Sequence, residues 1–204
     1  MSKGSETQAR LMDIAELSVL EKGFGATSIE ELITSAGITK SGFFYHFRDK
    51  TELARALLGR YLAREEVILD DLFGRARELH EDPLHAFLIG LKLMAEMMAD
   101  LPEGHPGCLV ATYCYQERLF DAEVVSMNGE GVMAWRVRFR SILDDIVAQY
   151  PPREEVDLDA LADMISTIVE GGIIMSKVMK DPKILADQIM LYRTTIKLLF
   201  SPVR

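Results

Sequence analysis

The sequence has few cysteines, few prolines and no apolar run long enough to cross a membrane. Its two cysteines, Cys108 and Cys114, are too few for a disulfide scaffold and fit a reducing cytoplasm. The most apolar windows, FLIGLKLMAEMMA and IVEGGIIMSKVM, each contain two charged residues and fall short of the roughly 20 apolar residues that a membrane helix needs. The first ten residues, MSKGSETQAR, are polar and carry no secretory signal. These absences predict a cytoplasmic protein with no membrane partner.

Positive charge is also scarce. The chain holds 23 Lys and Arg against 32 Asp and Glu, a formal net charge of −9 at pH 7. Residues 1–50 are near neutral, with six basic and seven acidic side chains, so most of the acidity lies in residues 51–204. This balance argues against a protein that coats nucleic acid indiscriminately, and it leaves room for one focused basic patch.

Signatures of the common enzyme classes are absent. The sequence contains no P-loop, no GxSxG, no HExxH and no GxGxxG in a strand–turn–helix context. His80 and His85 are five residues apart, a spacing that does not place two metal ligands on one helix face. His105 lies close to Cys108, with no third catalytic partner in view. We therefore predict no enzymatic activity, no cofactor and no metal site.

Helical spacing of apolar residues dominates the chain, and no segment shows the sustained alternation of a strand. Thr27 with Glu30, and Asp49 with Glu52, are predicted capping boxes, and Thr39 is a predicted N-cap. Caps, glycines and prolines predict nine helices, which begin at about residues 5, 28, 40, 50, 83, 108, 121, 157 and 182. The predicted fold is all-α.

The segment GITKSGFFYHFRDK, residues 37–50, concentrates bases and aromatic rings in this acidic chain. Two short helices joined by a glycine turn form a helix-turn-helix, whose second helix enters the major groove of DNA with its N-terminal residues at the base edges. Lysine and hydroxyl side chains bond to bases or phosphate, a glycine admits close approach, and a phenol or imidazole meets phosphate. The predicted DNA-facing residues are Thr39, Lys40, Ser41, Gly42, Tyr45, His46 and Lys50.

The same stretch also has plainer interpretations. Phe43 and Phe47, at near-helical spacing, are typical of a core, and Phe44 is a weaker case. Three bases in eleven residues are, on charge alone, typical of a solvated face, with Arg48 on the rim of any interface. The caps, the turn and the aromatic spacing together favour DNA contact.

The segment TSIEELITSAGITKSGFFYHFRDKTEL resembles the DNA-binding domain of the TetR family of bacterial transcriptional repressors. This resemblance implies a helix-turn-helix domain over residues 1–48 and a helical effector-binding and dimerisation domain over residues 49–204. It also implies that Thr27 and Ser28 approach the DNA backbone. Phe44 departs from the family pattern, which usually has a tyrosine that touches phosphate there, and Tyr45 is expected to compensate.

The resemblance further implies a homodimer held by a four-helix bundle, a double-stranded DNA operator and a small-molecule effector. The eighth helix is apolar on more than one face, which independently favours a dimer. The predicted dimer interface contains Ile165, Ile168, Val169, Gly172, Met175, Ile189 and Ile196. The predicted effector pocket, whose members are equally compatible with an ordinary core, contains Phe87, Leu91, Met94, Met98, Cys108, Tyr113, Trp135 and Phe139.

Cys108 has two interpretations. It is predicted in the first turn of the sixth helix, and similar Gly-Cys-Leu stretches occur in TetR-family members that sense electrophiles, which implies a modifiable thiol; the plain alternative is a small buried side chain. Cys114 is predicted to be core. The predicted function is a ligand-responsive repressor that releases a palindromic operator on effector binding or thiol modification. The alternative is a helical ligand-binding or interaction protein without DNA-binding activity.

Overall fold

A computed structural model describes residues 3–200 and contains, over that range, nine α-helices, one 3₁₀ helix and no strand. The predicted all-α fold is therefore confirmed. The 3₁₀ helix, Glu117–Leu119, follows the sixth α-helix. The α-helices are α1 Lys3–Lys22, α2 Ile29–Ala36, α3 Lys40–His46, α4 Lys50–Leu79, α5 Pro83–Ala99, α6 Leu109–Tyr115, α7 Ala122–Gln149, α8 Leu158–Met179 and α9 Lys183–Phe200.

Helix caps lie where short-range chemistry predicts them, with one exception. Thr39, Asp82 and Asp157 cap α3, α5 and α8 through side-chain oxygens that accept backbone N–H groups one turn ahead. The exception is α2, because its N-cap is Ser28, whose Oγ accepts from the Glu31 amide at 3.2 Å. The predicted cap at Thr27 is wrong by one residue.

The chain divides into two compact units. The first comprises residues 1–64 and 106–131, and the second comprises residues 65–105 and 132–204. The first unit thus contains more than the predicted helix-turn-helix domain, since α6 and the first part of α7 also belong to it. The predicted boundary at residue 48, between a DNA-binding domain and an effector-binding domain, stays a prediction.

The first unit closes around residues that α1 to α4 bury together. Leu11, Ala15 and Val19 repeat at helical spacing on α1 and are buried, as are Leu32 on α2 and Phe43 on α3. Glu16 of α1 is buried beside these residues, and its carboxylate forms ion pairs with Arg60 and Arg64 of α4 at 2.8 and 2.6 Å. Burial raises the pKa of Glu16, and the bonds from these two guanidiniums more than offset that effect, so its pKa is lowered overall.

The second unit closes around an aromatic cluster. Phe73, Phe87 and Phe139 meet with ring centres 5.6 to 6.4 Å apart, and Tyr192 of α9 stands edge-on to Phe87. Gly90 allows this packing, because a Cβ there would lie 2.4 Å from the Phe73 ring.

None of the helices within residues 3–200 is both long enough and apolar enough to span a membrane.

Candidate functional site

The turn between α2 and α3 depends on a glycine. Gly37 adopts the left-handed conformation, with φ 61° and ψ 37°, and its amide bonds to carbonyl groups at the end of α2. The following residue, Ile38, also donates its amide to the Ile33 carbonyl at 3.1 Å. These bonds fix the direction in which α3 leaves α2.

The N-terminus of α3 presents polar groups to solvent. Thr39 caps the helix, since its Oγ1 accepts from the Gly42 amide at 3.1 Å and lies 3.0 Å from Ser41 Oγ. Lys40 and Ser41 are exposed. A Cβ at Gly42 would meet only ordinary contacts, at 3.4 Å or more, so the fold itself does not require glycine there. The missing side chain leaves the backbone of α3 open to close approach.

The rings of α3 divide into buried and exposed sets. Phe43 and Phe47 are buried and their ring centres lie 5.9 Å apart, as expected for a core pair. Tyr45 is 81% exposed, while His46 is half-buried with its ring edge-on to Tyr45. Phe44 is 43% exposed and rests against Phe43. Among the aromatic residues of α3, Tyr45 is therefore the one with a largely exposed hydroxyl group.

Thr27 requires a correction, because its side chain is not available to DNA. It is 1% exposed, its Oγ1 donates to the Gly23 carbonyl at 3.0 Å, and it bonds with Ser18 Oγ. The hydroxyl stabilises the turn between α1 and α2. Ser28, the other residue implied to approach the DNA backbone, is exposed and caps α2.

Lys50, at the start of α4, is held inside the unit. Its Nζ donates to the Phe24 carbonyl oxygen at 2.6 Å and lies 4.3 Å from the centre of the Phe24 ring. Burial lowers the pKa of the Lys50 ammonium. Any phosphate that approaches Lys50 has to share the ammonium with this carbonyl.

The turn between α1 and α2 is supported by residues of α6 and of the segment after it, which no sequence motif marks. Gln116 Oε1 accepts from the Gly25 amide at 3.1 Å, and Phe24 packs against Tyr113 and Phe120. A Cβ at Gly23 would lie 2.2 Å from Gln116 Nε2. In the sequence, the glycines on either side of Phe24 indicate close packing, but they do not identify Gln116 as the residue that packs there.

The predicted effector-pocket residues do not form one set. Cys108 and Tyr113 belong to the first unit and the other six to the second. Tyr113 is core, because it is buried, stacks on Phe120 and donates its hydroxyl to the Ala54 carbonyl at 3.0 Å. Burial, helped by the charge of Glu16, raises the Tyr113 pKa.

Two cavities stand out in the second unit. One has a volume of about 140 Å³, and Phe87 is the one predicted pocket residue in its wall. The other is a groove of about 560 Å³ between α4 and α5, whose walls contain none of the predicted residues. Its lining residues are Val67, Ile68, Asp71, Leu72, Arg75, Leu93, Glu96, Met97, Asp100 and Leu101. Leu91, Met94 and Met98 are buried core of α5.

Four of the predicted dimer residues are also core. Ile165, Ile189 and Ile196 are buried, and Gly172 faces α9, where a Cβ would lie 3.2 Å from Leu185 Cα. These residues pack α8 against α9 within one chain. Ile168 and Val169 are half-buried, while Met175 is exposed.

An apolar stripe on α8 stays exposed beside this buried face. Met164, Met175 and Val178 are exposed and Ile168 is half-buried, at positions that alternate by three and four residues with Gly171. On α9, Leu191 and Leu198 are exposed two turns apart.

Cys108 is the N-cap of α6, a position just ahead of the predicted first turn. Its Sγ accepts from the Ala111 amide at 3.4 Å, and the side chain is half-buried. Cys114 is exposed, so the prediction that it lies in the core is wrong.

Comparison with known proteins relates this geometry to a family. The family model of the bacterial regulatory proteins, tetR family, matches residues 11–57. The chain is 28% identical over 99 residues, 48% of its length, to the HTH-type transcriptional repressor BepR of Brucella suis, and it spans about half of that relative, 46%. A TetR-family regulator structure from Agrobacterium tumefaciens covers 98% of this chain, and all of that structure is covered, with a TM-score of 0.79 and 16% identity. The reduced form of Escherichia coli NemR matches with a TM-score of 0.73 and 15% identity over 96% of this chain and 97% of that one.

Proposed function

We propose that this chain, which belongs to the TetR family of bacterial regulatory proteins, is a dimeric repressor that binds a palindromic operator. The observation that carries the proposal is the geometry of α2 and α3, where a left-handed Gly37 ends one short helix and the next presents an exposed Lys40, Ser41 and Tyr45. Helix-turn-helix proteins read DNA with this part of the second helix. A buried Phe43 and Phe47 hold that helix in place.

An electrophoretic mobility shift with DNA from upstream of the protein's own gene tests DNA binding. We expect a shift at low salt that weakens steeply as salt rises, because phosphate contacts release counterions. Lys40→Met should weaken the complex, while Lys92→Met, at an exposed lysine of α5, is the matched control. Absence of a shift at low salt with excess protein would favour a helical interaction protein instead.

We propose that the dimer forms through the exposed stripes of α8 and α9. A stripe spaced by three and four residues is the pattern that a four-helix bundle buries, and the residues that pack α8 on α9 within the chain leave it uncovered. Met175→Glu should shift the sedimentation of the protein toward the monomer. Leu17→Glu changes an equally exposed apolar residue of α1 and should leave the dimer intact. A Met175→Glu protein that still sediments as a dimer contradicts the assignment.

We propose the groove between α4 and α5 as the effector site. Its volume of about 560 Å³ lies in the range of small-molecule sites, and its walls combine apolar side chains with a few charged ones. Met97→Trp should fill the groove and abolish release of DNA by an effector without abolishing DNA binding. Val137→Trp, at an exposed position of α7, should keep the response. A Met97→Trp protein with an unchanged effector response would contradict the assignment of this groove as the effector site.

We propose a thiol response at Cys108 as a second route to release. The Sγ atom is itself the cap of α6, so alkylation or oxidation replaces an acceptor that the Ala111 amide uses. A fold neighbour, NemR, has been solved in a form described as reduced. Cys108→Ser replaces the capping sulfur with a capping oxygen and should lose the response to an electrophile. Cys114→Ser should keep it, and mass spectrometry that finds Cys108 unmodified when Cys114 reacts would refute this route.

A further inference from the structure

The junction of α4 and α5 brings two histidines and an aspartate together. His80 follows the last residue of α4, Asp82 is the N-cap of α5, and His85 lies in the first turn of α5. The five-residue spacing does not suit one helix, but here the histidines stand on either side of a turn. Their rings are stacked with centres 4.8 Å apart, and one ligand atom from each of the three residues lies within 4.8 Å of the other two.

Three hydrogen-bonding contacts hold the carboxyl group of Asp82 in place. Its Oδ1 accepts from the His85 amide at 2.9 Å and lies 2.7 Å from His85 Nδ1, while Oδ2 accepts from the Tyr150 hydroxyl. A carboxylate whose second oxygen is fixed by a hydroxyl matches the outer-shell support that metal ligands receive in proteins.

We propose that His80, Asp82 and His85 bind Zn²⁺ or another divalent transition-metal ion that prefers imidazole ligands. Two imidazoles and one carboxylate with solvent in the fourth position form a common zinc ligand set. Tetrahedral bonds of about 2.0–2.1 Å require ligand atoms about 3.3 Å apart, so a pair at the 4.8 Å limit has to close by about 1.5 Å. His85 Nδ1 and Asp82 Oδ1, which lie 2.7 Å apart, have to separate by about 0.6 Å. Both histidine rings are exposed, so each can turn toward the ion. Rotation of the His80 ring gives up the bond that its Nδ1 accepts from the Asp82 amide at 3.1 Å.

Binding replaces an existing contact. When the ion binds at His85 Nδ1, it replaces the hydrogen bond between that nitrogen and Asp82 Oδ1. The ring then carries its one hydrogen on Nε2, so a neutral ring only changes tautomer through solvent and a protonated ring releases one proton. The cap of α5 survives, because the carboxylate can bond to the ion and still accept from the backbone amide of His85. Glu81, the residue before Asp82, lines the cavity of about 140 Å³ together with Asp145 and Arg77, so the charge of that wall is net negative, which favours a cation.

Isothermal titration calorimetry of the full chain with ZnCl₂ in a chelator-free buffer tests the proposal. We expect saturable binding of one ion per chain, and no comparable binding of Mg²⁺, which prefers oxygen ligands. The double substitution His80→Ala with His85→Ala should weaken zinc binding by more than about 100-fold, beyond the 10–100-fold typical of outer-shell changes. Tyr150→Phe, which leaves all three ligands, should weaken it by about tenfold.

His105 and Cys108 provide the matched control, because they are two potential zinc ligands that lie close in sequence and outside the proposed site. His105→Ala with Cys108→Ser should bind zinc as the unchanged chain does. With Co²⁺ in place of zinc, the unchanged chain should show visible absorption of a four-coordinate ion without a thiolate charge-transfer band. Unchanged zinc affinity in the His80 and His85 double variant, with far-UV circular dichroism showing that it is folded, would overturn the proposal, as would a thiolate band.

Discussion

We predict that the ammonium group of Lys50 contributes to the stability of the fold in addition to any contact with DNA. Lys50→Met keeps most of the aliphatic stem and removes the ammonium that bonds to the Phe24 carbonyl and lies over its ring. A hydrogen bond with a charged donor contributes about 1.5–3 kcal/mol, and a cation–π contact adds about 0.5–1 kcal/mol. Desolvation of the ammonium opposes both, so we expect a net loss of about 1–2 kcal/mol. For a chain of this size that loss lowers Tm by roughly 2–8 °C.

Lys40→Met is the matched comparison, because Lys40 is exposed on the first turn of α3 and has no ion-pair partner within residues 3–200. Its Tm should not change, while its affinity for DNA should fall by about 5- to 150-fold. Thermal melts followed by circular dichroism measure the first quantity, and fluorescence anisotropy with labelled operator DNA measures the second. If Lys50→Met melts within about 1 °C of the unchanged protein, the internal role of Lys50 is refuted.

Three further substitutions test the fold. Gly37→Ala forces a Cβ into the left-handed region at φ 61° and should lower stability in thermal melts by about 1–2 kcal/mol, whereas Gly59→Ala, inside α4 with open space around it, should stabilise. Glu16→Gln should lower Tm at neutral pH. Folding lowers the Glu16 pKa below its ordinary value of 4.5, so the difference in Tm from the unchanged protein should shrink as pH falls through the folded pKa. A difference in Tm that does not depend on pH contradicts this role of Glu16. Gly172→Ala should cost about 1–3 kcal/mol in denaturant unfolding, because Leu185 stands 2.8–3.2 Å from the new Cβ. Gly129→Ala, inside α7 with nothing within 4 Å, should cost nothing.

Features that depend on neighbouring residues were predicted well. Thr39, Asp82 and Asp157 cap their helices because each cap closes a hydrogen bond within three residues. Thr27 and Ser28 show the limit of such reasoning, since two adjacent hydroxyl residues have nearly the same capping chemistry. The bond between Thr27 and Ser18, nine residues away, decides between them.

Apolar periodicity was less informative where a helix is apolar on two faces. On α8, Ile165 and Met175 are both apolar residues of one helix, yet one is buried against its own chain and the other is exposed. The position of α9, with Leu185 against Gly172, decides which face is covered. For this reason the predicted dimer interface mixed the two faces, and the predicted effector pocket consisted mostly of core.

The sequence by itself determined the nine helices, the glycine turn before α3 and the identity of the polar residues on that helix, because these depend on bonds and preferences within one or two turns. Only the tertiary structure decided that Lys50 bonds to Phe24 across 26 residues and that Gln116 supports Gly25 across 91. It also decided which side chains remain open to a ligand. Such choices depend on which distant surfaces exclude water together, and a local pattern of residue types does not encode that pairing.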